Sequence, residues 1–121
     1  MSTYKLISEN SAGDFDEHLI ENGGILDIVL TNRTGQDMVC SFDSPLAYRK
    51  LDEGDAFEAL QDIKASSELG ALLYLVENSD FLIWFQRTSG GKYAGRNIQH
   101  YCLTTINSVI DVLSFAPPSF R

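Results

Sequence analysis

Residues 71–85, ALLYLVENSDFLIWF, decide the fold: ten large apolar or aromatic side chains flank the polar step Glu77-Asn78-Ser79-Asp80. Leu72 to Val76 is apolar at every position and too short for an independent helix, which predicts a central strand covered on both faces. Ser79 then suits an N-cap, Asp80 and Arg87 complement the dipole of a following helix, and Gly90-Gly91 offers a left-handed stop. The spacing predicts a short helix from Asp80 to Thr88. Phe81, Trp84 and Phe85 share one face of it at i, i+3 and i+4 and would lie against the sheet, which makes Trp84 a core residue. The alternative is a hairpin in which Phe81 to Phe85 returns as a strand.

Working back from this stretch, Asp55 and Glu58 have capping-box spacing, and Phe57, Leu60 and Ile63 recur at helical intervals, predicting a helix from Asp55 to Ala65. Before it, Leu46 to Leu51 reads as an edge strand, started after Pro45 and carrying Arg49 and Lys50 for solvent. Ile25 to Leu30 and Met38 to Phe42 flank a hairpin loop over residues 31–36, with Met38, Cys40 and Phe42 alternating inward. Asp14 with Glu17 is a second capping-box spacing, so a helix of one or two turns is expected there, ended by Gly23-Gly24. Tyr4 to Ile7 is a strand, followed by a polar turn over Ser8 to Gly13.

On the C-terminal side, residues 88–96 hold three glycines and no apolar periodicity, the pattern of a mobile surface loop. Ile98 to Thr104 alternates, Val109 to Phe115 is β-branched and apolar, and Pro117-Pro118 closes the fold. The expectation is an α+β domain of about six or seven strands in a largely antiparallel sheet, with two or three short helices packed on it.

At 121 residues with 44% hydrophobic content, the chain suits one domain, 1–121, with one sizeable core. No apolar run approaches the roughly 20 residues of a membrane span, and MSTYKLISEN lacks the apolar centre of a signal peptide, so a cytoplasmic protein is expected. Cys40 and Cys102 stand in apolar segments and read as buried free thiols. Residues 1–68 hold 14 acidic and 5 basic side chains and residues 69–121 hold 3 and 4, so the net charge of −8 resides in the first part. Such a field repels nucleic acid and steers a basic protein inward.

Few residue patterns point to chemistry. His100 and Cys102 would project from one side of a strand, but the close paired spacings of a zinc site are missing. Neither histidine lies in G-x-S-x-G, and GGKYAGR at 90–96 lacks the order of a P-loop. No catalytic, cofactor-binding or metal residue is expected. Asp52, Glu53, Asp55, Glu58 and Asp62 form the densest acidic cluster, readable as a helix cap with a solvated face or as a docking surface for a basic partner. Arg87, Lys92, Tyr93 and Arg96 are candidate contact residues on the glycine-rich loop, since Tyr and Arg are frequent at binding hot spots.

YRKLDEGD at 48–55, LYLVENSDFLIWF at 73–85, HYCLTT at 100–105 and VIDVLSFAPP at 109–118 resemble the pattern of small bacterial immunity proteins associated with polymorphic or contact-dependent toxins. The resemblance runs from Tyr48 to Pro118 and brings no catalytic residues. It implies a non-enzymatic protein that binds and neutralises a cognate toxin domain, basic and of nuclease type in the electrostatic version. Two other readings stay open. One is a small-molecule or enzymatic pocket near His100, Arg96 and Tyr93. The other is a self-associating protein whose Leu46 to Leu51 edge pairs with a second copy in a homodimer.

Overall fold

The central apolar run needs cover on both faces and receives it from two different layers. The computed structural model describes the backbone of residues 1–121 and the side chains of all but residues 9–12. The strands are β1 (Thr3–Ser11), β2 (Phe15–Asn22), β3 (Ile25–Asn32), β4 (Asp37–Asp43), β5 (Ala47–Asp52), β6 (Ala71–Glu77), β7 (Gln99–Thr104), β8 (Ser108–Ser114) and β9 (Ser119–Phe120). The helices are α1 (Phe57–Ser66) and α2 (Asp80–Thr88). One sheet runs β1-β6-β7-β8-β5 and the other β2-β3-β4-β9, with every pairing antiparallel. The α+β, largely antiparallel expectation holds, but nine strands in two sheets replace six or seven in one.

Strand alternation sorts the side chains between the layers. Leu73, Tyr101, Leu103, Ile110 and Val112 face the second sheet and meet Leu26, Ile28, Leu30, Cys40 and Phe42 there. Tyr74, Val76, Cys102 and Val109 point the other way and pack under α1 with Tyr4, Ala56 and Ile63. Phe81 of α2 settles on Ile98 and Leu113. Covered on both faces and paired along both edges, β8 is buried at every position, including its one charge, Asp111. Among the described residues, no helix is long and apolar enough to cross a membrane.

Helix α2 occupies the predicted span, and Ser79 Oγ caps it by accepting the Leu82 N–H at 2.9 Å. The hairpin alternative for Phe81 to Phe85 is therefore excluded. Trp84 departs from expectation: it is 47% exposed and lies stacked on Phe81 at 5.8 Å between ring centres. Phe81 takes the position nearest the sheet, and three residues later the helix has turned Trp84 about 60° away from it. Helix α1 starts at Phe57, with Asp52 instead capping a short 3-10 turn over Glu53–Asp55. Residues 89–96 form successive hydrogen-bonded turns, with Tyr93 stacked on Phe85 at 5.5 Å.

The helix expected after Asp14 is strand β2, and the polar turn expected from Ser8 is the end of β1 followed by a 3-10 turn at Ala12–Asp14. Phe15, Glu17 and Leu19 alternate toward the interior while Asp16, His18 and Ile20 face outward. Gly23 and Gly24, with φ of 61° and 81°, form the two-residue loop of a hairpin to β3 instead of ending a helix. Glu17 is not a helix cap: its side chain is 3% exposed, accepts from Thr105 Oγ1 at 2.7 Å and faces Lys50 Nζ at 3.7 Å. Strand β5 is an edge of its sheet, as expected. Lys50 and Tyr48, which donates to Glu21 at 2.7 Å, tie it to β2.

Candidate functional site

The sheet under the helices carries a charged chain. The β7–β8 register sets Cys102 opposite Asp111, and β5 places Arg49 opposite Asp111 from the other side. Arg49 Nε donates to Asp111 Oδ2 at 2.9 Å, and His100 Nε2 lies 2.7 Å from Asp111 Oδ1. The second ring nitrogen, Nδ1, is 2.6 Å from Ser79 Oγ. Burial pushes the Asp111 carboxyl up, but hydrogen bonding and charge from His100 and Arg49 outweigh it, leaving the group below its ordinary pKa. An isolated carboxylate here would cost several kcal/mol, which these two partners offset.

Serine, histidine and aspartate in hydrogen-bonded order are the components of an acyl-transfer triad. Here Ser79 is 4% exposed, serves as the α2 cap, and does not line a cleft. The chain of bonds anchors the start of α2 to the sheet. Both nitrogens of His100 are engaged and Cys102 is fully buried, so this pair does not form a metal site.

Above this floor an open cleft of about 430 Å³ separates α1 from α2. Tyr4, Ala56, Ala59, Phe81 and Trp84 form its walls, His100 and Arg49 its base, and Asp55, Glu58, Asp62 and Asp80 its acidic rim. One carboxylate oxygen from each of Glu58, Asp62 and Asp80 lies within 4.8 Å of the others. Such a set can surround a cation, although exposed carboxylates often stand together without one. Burial pushes the Tyr4 phenol well above its ordinary pKa, so it stays a neutral wall residue.

No family model, curated protein or solved structure matches this chain.

The predicted acidic cluster divides in the fold. Asp55, Glu58 and Asp62 reach the cleft and are joined by Asp80, whereas Asp52 caps the 3-10 turn and Glu53 lies on the other side of α1 beside Phe57 and Lys64. The predicted loop contacts lie elsewhere. Lys92 sits 5.3 Å from the Tyr93 ring centre and Arg96 4.6 Å from that of Phe115; neither they nor Arg87 and Tyr93 line the cleft. His100 is thus separated from the pocket partners expected of it, Arg96 and Tyr93.

Sequence reasoning missed Asp111, Arg49, Asp80 and Ser79 as parts of one site. The strongest available signal was Asp111 itself, a lone acid inside the apolar run SVIDVLS, which must find partners once buried. A second cleft of about 460 Å³ opens at Phe115, Pro117, Pro118 and Phe120 over Leu73, Leu75 and Tyr101. Among its described lining residues, the polar side-chain groups are the amides of Asn97 and Gln99 and the phenol of Tyr101.

Proposed function

We propose that the protein is a non-enzymatic binder that neutralises a basic toxin domain by direct contact, with the cleft between α1 and α2 at the centre of the interface. The observation that carries this reading is the meeting of Glu58, Asp62 and Asp80 from two helices, within 4.8 Å of one another, beside an exposed Trp84. Tryptophan is a common anchor of binding surfaces, and clustered carboxylates favour a cationic partner. The net charge of −8 adds a long-range field that speeds encounter with such a partner. The resemblance from Tyr48 to Pro118 points in the same direction.

The test is to express the C-terminal domain of the protein encoded beside this one, with and without this chain, and to score growth and co-purification. Rescue with a stoichiometric complex supports the reading. A non-toxic neighbour that forms no complex rejects it. The electrostatic version further requires affinity to fall as salt rises; a salt-insensitive complex would leave binding but remove charge as its basis.

A second reading is favoured by one observation: His100, coupled to Asp111, forms part of the base of the same cleft. A small-molecule site there predicts saturable thermal stabilisation by a compound and its loss in Arg49→Ala. A toxin complex that fully covers the cleft while tolerating Arg49→Ala argues for the protein partner.

A further inference from the structure

Resting on the reading of the cleft as a contact for a basic protein, we infer that it recognises an arginine of the partner. Its guanidinium would stack on Trp84 and be held by Glu58, Asp62 and Asp80. The fold already contains this arrangement once. Arg49 places its guanidinium carbon 4.1 Å from the centre of the Phe81 ring while its Nε pairs with a carboxylate, Asp111, at 2.9 Å. Phe81 stacks in turn on Trp84, with 12° between the ring planes, and about half of Trp84 remains open beside the acidic rim.

The chemistry of the cleft separates arginine from its rivals. A guanidinium offers five N–H donors in a plane and a flat face for an indole, so it can use several carboxylates and the aromatic wall together. Lysine presents a compact ammonium that is more strongly hydrated and gains less from stacking. A bare divalent ion would use the carboxylates but leave the wall without a role. The charge around the site is also suitable: Arg49 is the cation at its base and is already paired with Asp111, leaving the rim acidic.

Trp84 is the sole tryptophan, so its emission reports directly on occupancy of the cleft. The test titrates the full chain at low salt with acetyl-tetraarginine amide, acetyl-tetralysine amide, and magnesium or calcium chloride. The expected result is a saturable emission change with the arginine peptide, binding roughly tenfold tighter than the lysine peptide. This binding should weaken at least roughly tenfold in the double variant Asp62→Asn, Asp80→Asn, checked for unchanged fold by circular dichroism. Equal affinity for the lysine peptide, unchanged binding in the variant, or tight saturation by either metal ion overturns the inference. If the arginine peptide fails while the adjacent toxin domain still co-purifies, the arginine site falls and the binding function stands. If the peptide binds but no toxin partner exists, the site stands and the toxin reading falls.

Discussion

Asp111 shows how much one residue can organise. Its carboxylate joins β5, β7 and the start of α2 through Arg49, His100 and Ser79. Replacing it with alanine strands the buried His100 Nε2 donor, while the half-exposed Arg49 can turn to water, and is expected to cost about 1–3 kcal/mol, measured by urea denaturation at pH 7. Because its folded pKa is lowered, Asp111 contributes stability above its unfolded pKa of about 3.9 and loses that contribution as pH falls through the folded value. The acid limb of the stability curve below about pH 4 should therefore flatten in Asp111→Asn; an unchanged limb would show that other carboxylates dominate it. Trp84 makes the opposite prediction. With 47% exposure, Trp84→Ala should remain folded and cost well below the about 3–5 kcal/mol typical of a buried tryptophan, measured by urea denaturation. A variant that unfolds at room temperature would return Trp84 to the core.

Helix α2 shows how far local signals carry and where they stop. Its cap, its acidic first turn, its basic last turn and its glycine exit agree, so its bounds are legible in the chain. Ser79→Ala removes both the cap and the His100 contact and should cost about 1–2 kcal/mol, with faster amide exchange confined to the first turn of α2. Uniform protection loss across the sheet would mean that the serine matters to the whole core instead. Strand β2 shows the opposite case. Asp14 and Glu17 imitate a capping box, but Phe15, Glu17 and Leu19 also obey a period of two, and Gly23-Gly24 can turn a hairpin as well as stop a helix. Pairing with β3 along the full length of β2 decides between them, and local sequence contains no record of that partner.

At the scale of the molecule, the two cysteines report on different layers. Cys40 lies between the sheets, where burial pushes its thiol up to about 12, and Cys102 lies under α1, raised by burial and by Asp111. In the native protein neither should react with an aromatic disulfide at pH 8, and both should react together as urea unfolds the chain. Earlier reaction at Cys40 would show that the second sheet detaches before the helix layer opens. The acidic cluster is visible as composition, but where its members sit depends on this layering. Helix α1 turns Glu58 and Asp62 toward α2, where Asp80 meets them and Asp55 joins them from the preceding 3-10 turn, while Asp52 and Glu53 remain outside the cleft.

The sequence alone determined the α+β class, the central β6–α2 unit, the β3–β4 hairpin and the burial of both cysteines. Each follows from periodicity, capping or apolar content within a short window. Tertiary structure decided that there are two sheets, that β2 is a strand, that Trp84 faces the cleft and that Ser79, His100, Asp111 and Arg49 form one chain. These depend on contacts between residues far apart in the chain, such as Arg49 with Asp111, 62 positions on. Strand pairing and the directions in which packed layers turn their side chains fix such contacts, and neither is written in local spacing.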